Sequence, residues 1–303
     1  MLTIYLTTHN RPVTAIKAIE SIMSQTDRRF RLVVSDNSST NELLDLISPC
    51  EDLLYIKRPK VLSSIDHGNV CLSEIRTEYF TFFHDDDLML PNYVADFWKA
   101  KSLFPAAVAF GANALVERHG KFTGLSFKSM RPYIGPITPD NLLRRYFSHN
   151  QSGIAPLPSY IYKKEALQSL RFDVSGGKYS DVQWLSSWAA RGLMIWIANP
   201  VMIYRLHDSN DGRFESRHDR LRFLAYLKSS SNRFSSEILE DYRFFLYKKL
   251  LPSLKTNEHG KVHRLLSKFI FVHRYQRLCR LSFYQALINK ALIKLFMSLN
   301  KKV

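Results

Sequence analysis

Apolar positions along the chain fall into two alternating kinds of run. Short runs rich in β-branched and aromatic residues occupy 2–6, 31–35, 53–56, 79–83, 107–111 and 201–204. Between them, apolar residues recur at helical spacing from about residue 12 to 25, near 41–47, around 66–76 and onward from Pro91. Strand and helix in regular alternation predict an α/β fold, a mostly parallel sheet flanked by helices. Residues from about 120 to 159 are richer in Gly, Pro and polar groups and predict loops above that sheet. The stretch Tyr179-Ser180-Asp181-Val182-Gln183-Trp184 runs into a further helix ending near Arg191-Gly192. After Glu215 the pattern is helical throughout, with Val262, Leu265, Leu266, Phe269 and Val272 on one stripe and Phe283, Leu287, Leu292, Leu295 and Phe296 on another. This change divides the chain into a sheet-containing domain at 1–214 and a helical region at 215–303.

In open parallel sheets, ligands sit in the crevice outside the carboxyl ends of the strands. The residues that end the apolar runs here are polar: Thr7, Thr8, His9 and Asn10 after the first, Asp36 and Asn37 after the second, Asp85, Asp86 and Asp87 after the fourth. They are expected to converge. Three adjacent carboxylates repel one another and need a compensating cation, for which a divalent metal bearing a phosphorylated ligand is suited. The plainer alternative is a solvated turn whose last members cap the next helix.

Charge adds a second feature. The chain of 303 residues carries a formal net charge of +16, but residues 215–303 hold 19 Lys and Arg against 6 Asp and Glu, so +13 belongs to the helical region. That asymmetry points to a polyanionic surface, nucleic acid or anionic lipid. Lys and Arg around the apolar stripes fit a helix lying on a membrane, and packing into a core is the competing reading. The cysteines, Cys50, Cys71 and Cys279, are odd in number and widely spaced, which fits a reducing compartment. Neither a leader-like N-terminus nor a run of membrane-spanning length is visible, so a cytoplasmic location is expected.

Taken in order, several segments resemble the family 2 glycosyltransferases, nucleotide-sugar enzymes of the GT-A fold, over about residues 1–210. Leu6-Thr7-Thr8-His9-Asn10-Arg11-Pro12 is similar to the family's first strand and Pro-Thr-Tyr-Asn-Arg turn. Val33-Val34-Ser35-Asp36-Asn37-Ser38-Ser39 resembles its Val-Asp-Asp-Gly-Ser element. Asn69, ten residues before Tyr79, has the spacing of its Ala-Arg-Asn segment, with Gly68 where arginine is common. His84-Asp85-Asp86-Asp87 resembles the Asp-X-Asp-Asp strand end, with His84 replacing the first aspartate. Ser180-Asp181 stands at the family's Glu-Asp pair, and Tyr204-Arg205-Leu206-His207 is similar to its Tyr-Arg-X-His ending.

The resemblance implies an inverting transfer with a divalent cofactor, Mn2+ or Mg2+. It assigns Asp181 as the general base, which otherwise caps its helix, and Asp86, Asp87 and His207 as metal ligands. Thr7, Thr8, His9, Asp36 and Asp85 become nucleotide contacts, and Arg205 and Asn69 lie at the diphosphate or its loop. A UDP-sugar donor is favoured over dTDP and GDP. The acceptor is expected to be a saccharide on a polyprenyl diphosphate carrier in surface-polysaccharide synthesis, O-antigen or capsule, with the enzyme peripheral on the inner face of the cytoplasmic membrane. A nucleotidyltransferase acting on sugar phosphates would share the sheet and acidic site but calls for a glycine-rich loop after the first strand, and residues 7–12 contain no glycine. Nucleic-acid binding would explain the basic region, yet its aromatics mix with long aliphatics at helical spacing and form no binding motif.

Overall fold

The computed structural model describes residues 1–47, 52–127, 134–147, 156–207, 216–230 and 233–254. In chain order the elements are β1 (Leu2–Thr8), α1 (Pro12–Met23), β2 (Phe30–Asp36), α2 (Glu42–Leu46), β3 (Leu53–Lys57), α3 (Ser64–Glu74), β4 (Tyr79–His84), β5 (Leu88–Met89) and α4 (Tyr93–Leu103). They continue with β6 (Ala109–Arg118), β7 (Lys121–Leu125), β8 (Ile134–Ile137), α5 (Pro139–Phe147), β9 (Tyr160–Lys163), α6 (Ser180–Ala189), β10 (Met194–Leu206), α7 (Arg217–Ser229) and α8 (Ser236–Leu254).

One sheet carries the fold, in the order β3-β2-β1-β4-β9-β6-β10-β5, with β7 on β6 and β8 on β10. The first four of these strands are mutually parallel, as are β6 and β10, while β9 runs antiparallel to both β4 and β6. Side chains alternate between two cores. Tyr79 and Phe83 of β4, with Leu2, Ile4 and Leu6 of β1, join the core on one face. Phe80 and Phe82, with Tyr5, join the other. A strand buried on both faces reads as an unbroken apolar run, which is why β1, β2 and β4 stand out in the sequence.

Helix starts follow local chemistry. Pro12 opens α1, where its missing N–H is no loss, and Ala15, Ala18, Ile19 and Ile22 form the buried stripe. Ser63 caps α3 by accepting from the Asp66 amide at 3.1 Å.

The region expected to be loops, 120–159, contains β7, β8 and α5 among its described residues. Gly124 and Pro136 inside β7 and β8 masked the strand pattern, and both strands pair at the margins of the sheet, where such residues are tolerated. α7 and α8 pack on α5 and on the start of α6: Leu143, Tyr179, Val182, Phe223, Leu227, Ile238, Tyr242 and Phe245 make a third core. No helix among the described residues is long and apolar enough to cross a membrane. The apolar stripes at 262–272 and 283–299 lie outside the described residues.

Candidate active site

β4 leaves the sheet beside the end of β1, with His84 in register with Thr7. The chain turns at once, and β5 pairs antiparallel with Met202 and Ile203 of β10. That pairing brings Arg205 and His207 over the three aspartates. The sequence places these residues far apart; two strands of sheet bring them together.

Each aspartate has a different environment. Asp85 accepts from the Thr8 hydroxyl at 2.8 Å and the His9 amide at 3.3 Å through Oδ2, and its Oδ1 is 3.2 Å from Arg11 Nη1. Asp86 Oδ2 meets Arg11 Nη1 at 2.6 Å and His207 Nε2 at 3.1 Å. Asp87 Oδ1 accepts from the Arg205 amide at 3.0 Å. Its Oδ2, on a residue 0 % exposed, has no hydrogen-bond partner and lies 3.9 Å from His84 Nδ1.

These surroundings move the acids in opposite directions. Burial raises Asp85, and the contacts from Arg11 and Thr8 offset only part of that. Burial, and then the neighbouring charge of Asp86, push Asp87 well above the usual carboxylate range. Burial also opposes ionisation of Asp86, but His84, Arg11 and His207 outweigh it and hold the group below its ordinary value.

Ligand atoms of His84, Asp86 and Asp87 lie within 4.8 Å of one another. One imidazole and two carboxylates make a nitrogen–oxygen donor set suited to Mn2+ and tolerated by Mg2+. The unpartnered, buried Oδ2 of Asp87 is the feature a cation would satisfy, so the residues fit a divalent metal. His84 joins this group although it departs from the aspartate of the family pattern, while Asp85 turns to Thr8, His9 and Arg11.

At the end of β2, Asp36 is 0 % exposed. Its Oδ1 accepts from the Ser38 amide at 2.8 Å, and its Oδ2 takes the Tyr55 hydroxyl at 2.6 Å and Lys57 Nζ at 3.2 Å. Burial alone would raise this acid, but the bonds from Ser38, Tyr55 and Lys57 keep it below its usual value. His9 Nδ1 bonds the Asn37 carbonyl at 2.9 Å, so the exposed imidazole is steered toward the β2 end. The Thr7 hydroxyl donates to the Phe83 carbonyl at 3.5 Å. Behind β2, Ser35 is bonded by His67 Nε2 at 2.6 Å and Arg58 Nε at 2.8 Å, which closes the underside of the crevice with a buried polar network.

Asn69 binds the backbone of Phe172. Its amide donates to the Phe172 carbonyl at 3.1 Å and accepts from the Phe172 amide at 2.9 Å, tying α3 to the segment that leads into α6. The Phe172 ring covers Gly68 so closely that a Cβ there would lie 2.8 Å from it, which accounts for glycine at that position. Arg205 spends its Nε on the Asp86 carbonyl at 2.5 Å.

Asp181 lies in the first turn of α6, behind Tyr179 at the N-cap, and its Oδ1 accepts from the Val182 amide at 2.7 Å, so the alternative that it caps its helix does not hold. Burial raises its pKa from 3.8 to about 6. Burial lifts the Tyr204 phenol to about 12, with a smaller contribution from the charges of Asp87, Asp181 and Asp86. Arg11, Tyr55 and Lys57 were not singled out as site residues by sequence reasoning. Arg11 sits inside the Asn-Arg-Pro turn, but nothing in a linear pattern tells that a side chain at the start of α1 points to the end of β4.

The family model for glycosyl transferase family 2 matches residues 3–164. No curated protein sequence matches the chain. Among solved structures, residues 1–349 of S. aureus TarS in complex with UDP-GlcNAc align with a TM-score of 0.64 at 14% identity, covering 86% of this chain and 77% of that one. The mannosyltransferase PcManGT from Pyrobaculum calidifontis, in complex with GDP-Man and Mn2+, aligns with a TM-score of 0.52 at 14% identity over 97% of this chain and 86% of the other. The two structural likenesses speak to the fold, and the family match covers most of the sheet and the acidic strand end. The chain belongs to glycosyl transferase family 2 and is a glycosyltransferase.

Proposed function

We propose that the protein is an inverting, metal-dependent transferase that moves a sugar from a nucleoside-diphosphate donor, UDP favoured, to a saccharide acceptor on a polyprenyl diphosphate carrier. The observation that carries this reading is the cluster at the end of β4, where ligand atoms of His84, Asp86 and Asp87 lie within 4.8 Å of one another and the buried Asp87 Oδ2 has no hydrogen-bond partner. A carboxylate with a pKa of about 6 is ionised at neutral pH yet still basic enough to accept a proton. Asp181 takes the proton of the acceptor hydroxyl as its oxygen bonds to the anomeric carbon, while the bond from that carbon to the diphosphate oxygen breaks on the opposite face. Asp86, Asp87 and His207, with His84 beside them, would hold a divalent cation, which would supply Lewis-acid stabilisation of the leaving diphosphate. His9 stacks on the base, and Thr7, Thr8, Asp36 and Asp85 shape its pocket. The solved complexes of TarS with UDP-GlcNAc and of PcManGT with GDP-Man and Mn2+ support a nucleotide-sugar donor and a divalent metal. The +13 charge of residues 215–303 supports attachment to an anionic membrane surface and, with it, a lipid-linked acceptor in surface-polysaccharide synthesis.

A panel of nucleotide sugars, assayed for released diphosphate with saccharide acceptors in Mn2+ and after chelation, tests the proposal. Asp181→Asn is expected to lower turnover at least about a hundredfold with donor affinity unchanged, since an amide cannot take the proton. Undiminished turnover in that variant removes the base assignment, and absence of metal-dependent release with every nucleotide sugar removes the whole reading.

A further inference from the structure

Arg11 Nη1 bridges two carboxylates, 3.2 Å from Asp85 Oδ1 and 2.6 Å from Asp86 Oδ2. Its side chain is 45% exposed, against 4% for Asp85 and 17% for Asp86, so the guanidinium closes the acidic strand end from the solvent side. We propose that Arg11 is an exchangeable counter-ion: it neutralises Asp85 and Asp86 before metal binds, yields Asp86 to the divalent cation, and then pairs with the diphosphate of the donor. This deepens the metal-dependent reading above and rests on it.

The exchange follows from the valence of one oxygen. Asp86 Oδ2 already meets His207 Nε2 at 3.1 Å as well as Arg11. A carboxylate oxygen offers about two lone-pair sites, so a cation entering through Oδ2 displaces one of the two occupants. Arg11 is the one on a long stem at the surface. Until then its charge has a use, because three adjacent carboxylates without a cation repel one another.

Once displaced, the guanidinium remains in the crevice. The Arg11 carbonyl accepts from the Ala15 amide at 3.0 Å and Pro12 fixes the helix start, so the base of the side chain cannot move away. A planar fork with parallel donors matches phosphate oxygens, which a cation held by the strand end would attract. Lysine would neutralise the acids but lacks the fork.

The test uses the full chain and follows the electron paramagnetic resonance signal of free Mn2+ without nucleotide, then UDP binding at saturating Mn2+. Arg11→Gln is expected to bind Mn2+ about tenfold more tightly, because a competing charge is gone, and UDP about tenfold more weakly. Arg11→Lys should retain much of the competition for Mn2+ yet bind UDP less tightly than wild type. Unchanged or weaker Mn2+ binding by Arg11→Gln overturns the exchange. Tighter Mn2+ binding with unchanged UDP affinity overturns the handover to diphosphate. Asp86→Asn separates the two levels of the argument: wild-type Mn2+ binding by that variant would show the metal reading wrong, whatever Arg11 does.

Discussion

Asp181 can serve as a base only while ionised, and its surroundings make ionisation costly. Its folded pKa is about 6 against an ordinary 3.8, so between those values the folded chain holds a proton that the unfolded chain has already released. Stability from this residue is therefore greatest at low pH, falls as pH rises from 3.8 to 6, and above 6 is lower by roughly 2 kcal/mol once partial solvent contact is discounted. Activity runs the other way. The turnover profile should rise with pH along a limb centred near 6, checked by initial rates at saturating donor and acceptor, and the limb should vanish from the residual activity of Asp181→Asn. The same variant should melt at an equal or higher temperature at pH 7.5, because it no longer buries a charge. A lower melting temperature with normal turnover would mean that its bond to the Val182 amide is chiefly structural.

The Asn69–Phe172 pairing is the clearest tie between elements distant in sequence, joining α3 to the segment before α6. Asn69→Ala leaves a backbone donor and acceptor unmatched and should cost about 1–3 kcal/mol in urea unfolding. Asn69→Asp keeps an acceptor for the Phe172 amide and should lose less. Normal stability with weakened donor binding in the alanine variant would instead put Asn69 at the diphosphate. Such ties also mark the limit of what the chain pattern reveals. β1, β2 and β4 are legible because both their faces are buried, and their polar ends identify the crevice. The four residues of β9, Tyr160–Lys163, are too short to stand out, and the bulge around Pro200 hides the first half of β10. His84 reads as the loss of a ligand in sequence, whereas its ring lies with Asp86 and Asp87 in space. The contacts of Arg11, Tyr55 and Lys57 depend on which strand ends face one another, and periodicity does not encode that.

On the scale of the whole molecule, α7 and α8 follow the composition boundary at 214 yet share a core with Tyr179 and Val182, which flank Ser180 and Asp181. Asp219, in the capping box of α7, also accepts from the Lys178 amide at 3.2 Å, and Gly177 beside it has φ 57, so the turn before α6 is moulded against α7. Deleting residues 255–303 should preserve cooperative unfolding and transfer to a water-soluble acceptor while reducing flotation with anionic liposomes, since 11 of the 19 basic residues beyond 214 lie there. Deleting from residue 216 should expose the third core and abolish both activity and cooperative melting. Retained flotation after the shorter deletion would put the membrane contact within the described helices. The insertion of β9 between β4 and β6 has a consequence for how the protein is made. Tyr79 and Phe80 of β4 pair with Lys163 and Tyr162, so during synthesis the hydrogen-bonding edge of β4 waits open until β9 emerges from the ribosome. An apolar strand with a bare edge is a template for pairing with other chains, and nascent chains stalled before Tyr160 should therefore depend on chaperones to remain dispersed.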